Sequence, residues 1–371
     1  MKIVAKTLVG LEEVLANEIK NLGGRDVVIS NRAVTYTGSK EILYRSNYFL
    51  RTATRLLVPI YTFTAKTQHA FEKNMEKHNW DHYLTNELSF AIDAQSFTDI
   101  YTHSKFLALK TKDIIVDQFR EKTGDRPNVN TLNPDVRFQV HAYRDEFIIS
   151  LDSSGQSLHK RGYRVRAGFA PLSEVLGAGL VLLSGWDGSK PFLDPMCGSG
   201  TIAIEAALYA LGRSPHEEDK SFGFMGWKNF DMELWNKIKA ETLPKFENFS
   251  IKACDSHMAM VRATKDNAIG AEVQDHITVE RQDFFRTKES GPHCIISNPP
   301  YDEKIPLLDA FKFYRKIGDT FKRHFAESEA WLLSGNIEAL KKMGLKTSKR
   351  IELMNGPIEA RFHKFEMYEG S

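Results

Sequence analysis

Residues 190–207 constrain the fold of this chain more than any other stretch. A short apolar segment ends in Asp194, a turn with two glycines follows, and an apolar stretch rich in helix formers comes next. A strand, a tight turn and a helix in this order form the ligand crevice of an α/β sheet. The glycines allow the backbone to approach a ligand closely, and the first turn of the helix offers free N–H groups.

The turn does not match the glycine motifs that bind phosphates. A dinucleotide site needs G-x-G-x-x-G, and a phosphate loop needs G-x-x-x-x-G-K-[ST]. Residues 194–201 instead read Asp-Pro-Met-Cys-Gly-Ser-Gly-Thr. An acid at the strand end would repel a pyrophosphate, whereas it suits an ammonium group such as that of a methionine-like ligand.

This loop resembles the S-adenosylmethionine loop of methyltransferases that act on amino groups. A second motif lies about a hundred residues further on, where Asn298-Pro299-Pro300-Tyr301 follows a short apolar strand. Taken alone, two prolines indicate a turn that ends a strand. Together with the upstream loop, the motif resembles the site of methyltransferases acting on exocyclic amines. The resemblance implies that Asn298, Pro299, Pro300 and Tyr301 are catalytic.

The same resemblance implies a set of residues that bind S-adenosylmethionine. They are Asp194, Pro195, Cys197, Gly198, Ser199, Gly200, Thr201, Glu174, Asp255, Ser256, Asp283 and Phe284.

Three of these residues also have ordinary structural interpretations. Asp255 ends the second strand, where an acid accepts hydrogen bonds from ribose hydroxyls, although an insertion at 213–250 lengthens its distance from the glycine turn. Glu174 either lies near the methionine end of the cofactor or is a first-turn acid favoured by the helix dipole. Asp283, with Phe284, either contacts the adenine or forms a turn.

The order of elements predicts four segments. Residues 1–65 show a βαββαβ pattern, which is the ferredoxin-like arrangement, with a helix expected over 40–56. Residues 66–155 resemble a THUMP domain, a family that binds RNA. Residues 156–189 form a linker and a first helix, and residues 190–371 form the methyltransferase domain. The predicted fold class is α/β, with a C-terminal Rossmann-type class I methyltransferase sheet preceded by an α+β ferredoxin-like domain and a THUMP domain.

Two stretches leave alternatives open. The insertion at 213–250 is rich in aromatic residues, and five of them form either a small satellite core or a base-stacking surface: Phe222, Phe224, Trp227, Phe230 and Trp235. The basic stretch at 158–168 is either a solvated linker or a phosphate contact, and such contacts would be salt-sensitive and blind to sequence.

Composition adds bounds on location and partners. The three cysteines have no C-x-x-C spacing, which argues against a zinc site or a disulfide framework. No apolar window is long enough to span a membrane, and the N-terminus lacks a signal peptide pattern, so we expect a cytoplasmic protein without a membrane or metal partner. Residues 1–166 carry 24 Lys and Arg against 19 Asp and Glu, and the remainder carries 26 against 29. This split permits a nucleic-acid partner.

The whole chain resembles RNA methyltransferases that act on guanine N2, which implies 23S rRNA as the substrate, with tRNA as the second choice. Asp302 departs from the glycine that many of these relatives carry after the tyrosine. Asn-Pro-Pro-Tyr suits an adenine-N6 methyltransferase of DNA or RNA equally well. A non-catalytic RNA-binding assembly factor is the alternative from another class.

Overall fold

The computed structural model describes residues 1–166, 171–216, 220–287, 289–300 and 307–368, with the backbone alone for 307 and 308. Its α-helices are α1 Glu12–Asn21, α2 Lys40–Phe49, α3 Gln68–Lys77, α4 Ser104–Thr123, α5 Glu174–Ser184, α6 Thr201–Ala210, α7 Met232–Lys239, α8 Met258–Gly270, α9 Leu307–His324 and α10 Ile337–Leu340. Its strands are β1 Lys2–Lys6, β2 Arg25–Ser30, β3 Ala33–Thr37, β4 Arg55–Thr64, β5 Ser89–Phe97, β6 Asn128–Val129, β7 Val136–Tyr143, β8 Glu146–Asp152, β9 Phe192–Asp194, β10 Ile251–Asp255, β11 Thr278–Arg281, β12 Cys294–Ser297, β13 Glu329–Ser334, β14 Thr347–Asn355 and β15 Ile358–Glu366.

The first six elements follow the predicted βαββαβ order. The helix expected over 40–56 was too long, because α2 ends at Phe49 and β4 begins at Arg55. The Ser39 hydroxyl accepts the backbone N–H of Ile42 and so caps the start of α2. The apolar residues Leu56, Leu57 and Val58 lie in β4 rather than in another helical turn.

Strand β4 joins the two predicted N-terminal domains into one sheet. It pairs with β1 along one edge and with β8 along the other. The strand order of the eight-stranded sheet is β2-β3-β1-β4-β8-β7-β5-β6. Both domains also share one apolar core, which extends from Ile3 to Trp80 and Phe147. The boundary at residue 65 stays a prediction, but the two parts are packed as one unit.

The five aromatic residues named for the insertion at 213–250 belong to this N-terminal core or pack against it. Phe222, Phe224 and Trp235 are buried, and the rings of Phe224 and Tyr44 stack with their centroids 4.1 Å apart. The base-stacking surface considered for this insertion is therefore wrong for these three side chains. The prediction of a separate satellite core is wrong as well, because these aromatic residues pack against α2 in addition to one another.

The second sheet has the strand order β11-β10-β9-β12-β13-β15-β14. Its first five strands in that order are parallel, and β15 and β14 close it in antiparallel pairs. One apolar cluster packs α5 and α6 on one face, and another packs α9 on the other. Helices on both faces of a mostly parallel sheet confirm the predicted α/β class for this half.

Cys197, Cys254 and Cys294 are free and buried. Burial raises the pKa of the Cys254 thiol to about 12, so all three behave as small apolar side chains. Across the helices that the structure describes, none has both the length and the apolar character needed to cross a membrane.

Candidate active site

The candidate site lies where the strand order of the second sheet reverses. From the central strand β9 the chain moves outward to β10 and later returns to β12 on the other side. The loops after these strands therefore diverge and leave a crevice at their carboxyl ends. A cavity of about 690 Å³ occupies this crevice.

Two glycines in left-handed conformations shape the loop between β9 and α6. Gly198 has a φ of +55° and Gly200 a φ of +84°. A Cβ atom on Gly200 would lie 2.6 Å from Cγ2 of Thr264, so this position requires glycine. The Thr264 hydroxyl donates to the Gly198 carbonyl oxygen over 2.9 Å, and the Asn267 amide donates to the Ser199 carbonyl oxygen over 2.9 Å. Helix α8 thereby holds the loop from behind.

Asp194 ends β9 as a buried carboxyl group. Its Oδ1 accepts the backbone N–H of Met196 over 3.4 Å, and its Oδ2 has no hydrogen-bond partner among the described residues. Burial raises the pKa of Asp194 to about 8; the Met196 hydrogen bond opposes this shift and the charge of Asp255 adds to it. A carboxylate in such a place gains most from a cationic ligand.

Asp255 ends β10, the strand that pairs with β9. Its Oδ2 accepts the N–H of Gly198 over 3.1 Å, and its Oδ1 accepts the N–H of His257 over 2.8 Å. These two bonds fix the carboxylate against the glycine turn. His257 is the N-cap residue of α8, which begins at Met258.

Asn298 follows β12 at the other end of the cavity. Its side-chain Oδ1 is buried and has no hydrogen-bond partner among the described residues. An unsatisfied buried amide oxygen costs roughly 1–3 kcal/mol, so an N–H donor from a ligand would satisfy it. Pro299 is buried and Pro300 is exposed. Tyr301 and Asp302 lie outside the described residues.

Asp283 and Phe284 follow β11 at the rim. The carboxylate of Asp283 accepts the N–H of Phe285 over 3.0 Å and begins a single turn of 3-10 helix. Phe284 is buried against Phe321 and Phe325. The turn predicted here is present, and it also lines the cavity.

The structure brings most of the predicted site residues to this cavity. Those that line it are Asp194, Pro195, Cys197, Gly198, Ser199, Thr201, Asp255, Ser256, Asp283, Phe284, Asn298, Pro299 and Pro300. Gly200 is in the loop but contacts Thr264 behind it. Their roles toward a ligand remain proposals.

Glu174 does not line the cavity. Its carboxylate is buried and pairs with Arg164, whose Nε lies 2.7 Å from Oε1. Arg164 also donates to the Ser199 hydroxyl over 2.9 Å and to the Thr201 hydroxyl over 3.0 Å. Glu174 is thus placed to act on the loop through Arg164, and the basic stretch at 158–168 supplies a structural arginine rather than only a solvated linker.

Sequence reasoning missed Arg164, and it also missed Phe313, Asn355 and Ile358, which line the cavity. Asn355 and Ile358 flank the turn between β14 and β15. The sequence of this turn, Asn355-Gly356-Pro357, is typical of a hairpin. Nothing local, however, shows that the turn reaches a site whose other residues all lie more than 40 positions away.

Comparison with known families agrees with this architecture. Residues 161–364 match the family described as RMKL-like, methyltransferase domain. The chain belongs to this RMKL-like methyltransferase family. Residues 2–57 match the RlmL ferredoxin-like domain, and residues 65–152 match the THUMP domain. These matches confirm the predicted kinds and order of the domains.

Two curated relatives of this RMKL-like chain carry names that refer to RNA. The ribosomal RNA large subunit methyltransferase K/L of Methylococcus capsulatus is 35% identical over 96% of the chain. The chain covers 50% of that protein, so it spans about half the length of this relative. A Synechocystis protein named as a candidate RNA methyltransferase, slr0064, is 33% identical, with 97% of the chain and 95% of the relative covered.

A solved structure shows the same fold over nearly the whole chain. SMU.472, a candidate methyltransferase crystallised with SAH, superposes with a TM-score of 0.89 at 26% identity. The match covers 99% of this chain and 98% of that one.

Proposed function

We propose that this chain transfers a methyl group from S-adenosylmethionine to an exocyclic amine of an RNA base, and that the base is guanine, methylated at N2, in 23S rRNA. The observation that carries the proposal is the unsatisfied Oδ1 of Asn298. This acceptor shares one cavity with Asp194 and Asp255. The cavity therefore offers an acceptor for an amine at one end and carboxylates for a cationic nucleoside ligand at the other.

The residues present fit S-adenosylmethionine. The unpartnered Oδ2 of Asp194 suits the positive charge of the methionine end, and the exposed part of Asp255 suits ribose hydroxyls. A Cβ atom built on Gly198 meets nothing within 4 Å, so the loop stays open on this side. Phe284 and Asp283 line the cavity as well, and we assign them to the adenine.

Bound S-adenosylmethionine would supply an electrophilic methyl group and would leave as S-adenosylhomocysteine, and the methylated amine would lose one proton to solvent. The amine of a base is a poor nucleophile because its lone pair is delocalised into the ring. Oδ1 of Asn298 and the carbonyl oxygen of Pro299 accept its N–H groups and favour a tetrahedral nitrogen. The rigid prolines hold both acceptors in place. Tyr301 is proposed to stack on the base, which contributes about 1–3 kcal/mol for such pairs.

The RNA part of the proposal rests on the N-terminal half. A THUMP domain matches residues 65–152, and the relatives named above are RNA methyltransferases by name. A base inside a helix must leave its stack to reach Asn298. A protein that holds the surrounding RNA with a second domain positions that base without reading its sequence at the cavity.

The decisive experiment measures methyl transfer from labelled S-adenosylmethionine to total RNA and, separately, to duplex DNA from a strain that lacks this gene. Nucleoside analysis of the products follows. Label in N2-methylguanosine from 23S rRNA is expected. Label in N6-methyladenine would refute the guanine assignment while keeping Asn298 as the acceptor, and label in tRNA alone would refute the rRNA assignment.

The variant Asn298→Ala separates catalysis from binding. We expect it to abolish transfer and to leave S-adenosylhomocysteine affinity within about twofold of the wild type. Asn17→Ala, which changes an exposed asparagine on α1, is the matched control and should keep full transfer. Persistent transfer by Asn298→Ala contradicts the catalytic assignment. A wild-type protein that binds no S-adenosylhomocysteine would instead support the non-catalytic RNA-binding alternative.

A further inference from the structure

A second groove lies beside the candidate active site. It has a volume of about 560 Å³ and runs between the segment after β13 and the start of β15. Ile358 lines both the groove and the main cavity. The groove is therefore continuous with the place where Asn298 would hold a base.

Two cations line this groove, and among the described residues each forms an ion pair with an exposed carboxylate. Nζ of Lys341 lies 2.6 Å from Oε1 of Glu338, whose side chain is 64% exposed. Nη2 of Arg361 lies 3.6 Å from Oε1 of Glu352, whose side chain is 84% exposed. Exposed pairs of this kind contribute little and are screened by salt. A polyanion could therefore compete with both carboxylates for these cations.

The groove borders the most basic stretch of the catalytic half. Residues 341–350 contain five Lys or Arg and no Asp or Glu, and all five basic residues are exposed: Lys341, Lys342, Lys346, Lys349 and Arg350. Residues 167–371 as a whole carry 26 basic against 29 acidic residues, a net charge of −3. Of these five residues, Lys341 lines the groove itself, and Lys349 and Arg350 lie on β14.

The neighbouring His363 reflects the same concentration of positive charge. It is buried on β15, beside the groove residue Arg361. Burial, together with the charges of Arg350 and Arg361, lowers the pKa of His363 to about 4. Its imidazole is neutral at physiological pH, so it adds no charge of its own to the arginines around it.

We propose that this groove binds the sugar–phosphate backbone of the RNA strand next to the methylated base, with Lys341 and Arg361 contacting phosphates. The inference rests on the proposed function. A base held by Asn298 stays joined to a strand that must leave through the mouth of the cavity, and Ile358 marks where the groove begins. Contacts to phosphates set the register of the strand and carry no sequence information.

The double variant Lys341→Gln/Arg361→Gln tests the groove through the salt dependence of RNA binding. The probe is an unmodified large-subunit rRNA transcript, bound at 0.05–0.5 M KCl in the presence of S-adenosylhomocysteine. Each phosphate contact on a single strand contributes about 0.7 to the slope of log K against log salt, so two lost contacts lower the slope by about 1.4. The same relation gives roughly 25-fold weaker binding at 0.1 M salt and a vanishing difference toward 1 M.

The matched control is Arg262→Gln/Lys265→Gln. These exposed residues lie on α8, which packs against β10 far from β14 in the strand order. This variant removes the same charges and should keep the wild-type slope. Lys341→Arg/Arg361→Lys keeps both charges and should restore the slope. Both groove variants should bind S-adenosylhomocysteine as the wild type does, and in the transfer assay the KM for RNA should rise for the glutamine pair with kcat unchanged.

The outcomes separate this inference from the function it rests on. If the wild type methylates 23S rRNA but the glutamine pair keeps its salt slope, or loses no more than the α8 control, the groove assignment is overturned and the proposed function stands. If the wild type transfers no label to RNA, or transfers it to duplex DNA alone, the proposed function falls and this assignment falls with it.

Discussion

Replacing Asp194 with asparagine is expected to stabilise the ligand-free protein at pH 9 but not at pH 5. The Asp194 carboxyl is 1% exposed, and the N–H of Met196, at 3.4 Å, is its only hydrogen-bond donor in the described structure. Burial raises its pKa from 3.8 to about 8. The wild-type protein must therefore ionise a desolvated group as the pH rises, whereas the asparagine variant has no such group.

The magnitude follows from the two pKa values. The pKa of Asp194 is higher in the folded than in the unfolded protein, so the protonated carboxyl stabilises the folded state. This contribution is fully present below about pH 4 and is lost as the pH rises through about 8. The values differ by about 4, and one pKa unit corresponds to about 1.4 kcal/mol, so the full effect is on the order of 5 kcal/mol. The difference between variant and wild type should grow by about 1.4 kcal/mol per pH unit from pH 5 to 8 and then level off.

The assay is the free energy of urea unfolding at pH 5, 6, 7, 8 and 9, followed by tryptophan fluorescence. Trp186 reports on the catalytic sheet because its ring lies 4.9 Å from that of Phe192, next to Asp194 on β9. Asp187→Asn is the control. Hydrogen bonds from Ser189 lower the pKa of the exposed Asp187, so its contribution is present above its unfolded pKa and stays constant from pH 5 to 9.

The reasoning would be refuted if Asp194→Asn and the wild type differed in unfolding free energy by the same amount at pH 5 and pH 9. It would also be refuted if the wild type became more stable relative to the variant as the pH rises. The same variant should bind S-adenosylhomocysteine less tightly. If the Asp194→Asn variant is more stable than the wild type but binds S-adenosylhomocysteine less tightly, Asp194 serves binding rather than folding.

Three further predictions concern the supports of the site. Asp255→Ala removes the acceptor for the Gly198 N–H, at 3.1 Å, and should weaken S-adenosylhomocysteine binding roughly 10- to 100-fold by calorimetry, as for a lost bond to a charged group; unchanged affinity contradicts its role. Arg164→Ala should raise the KM for S-adenosylmethionine several-fold with little change in kcat. Arg164→Lys should restore the KM only in part, because lysine cannot bridge Glu174 and the loop. A KM of Arg164→Ala equal to that of the wild type would exclude this positioning role. Phe224→Ala should cost about 3–5 kcal/mol of unfolding free energy, seen as a lower urea midpoint, whereas a change under 1 kcal/mol would mean that the insertion is not part of the core.

The geometry of the loop between β9 and α6 could be predicted because it depends on consecutive residues. Asp194, Gly198 and Gly200 specify a strand end, a tight turn and a helix start within seven positions. Asn298 is similarly recognisable from the prolines that follow it. When two neighbouring parallel strands end at the same edge of a sheet, the residues at their ends lie close together. The length and course of the chain between the two strands do not change this.

The remaining features depend on partners that are distant in sequence. The pairing of Leu57 with Asp152 makes one sheet of the two N-terminal domains, and nothing local indicates it. The bonds of Arg164 span ten residues to Glu174 and more than thirty to the loop. A basic residue in a linker is usually solvated. Only the structure shows that Arg164 is bound by Glu174, Ser199 and Thr201.

The packing between the halves of the chain bears on how an RNA would be presented to the site. Glu205 is buried on α6, the helix that starts at the cofactor loop. Its Oε1 accepts the Tyr163 hydroxyl over 3.0 Å and lies 3.5 Å from Nε of Arg161, which in turn donates to the carbonyl oxygen of Arg51 in the N-terminal half. Burial raises the pKa of Glu205, and Arg161 and Arg51 oppose that shift.

Separating the two halves would break the contact between Arg161 and Arg51 and expose this buried charge cluster to water. Removing one member of a buried ion pair typically costs about 3–5 kcal/mol, because the other charge is left without compensation. The N-terminal half, through Arg51, is therefore held at a fixed position relative to α6 and the loop that α6 begins. An RNA gripped by that half would meet Asn298 at a distance set by the fold. On this reasoning, the choice of nucleotide depends on the shape of the surrounding RNA as well as on contacts to the base itself.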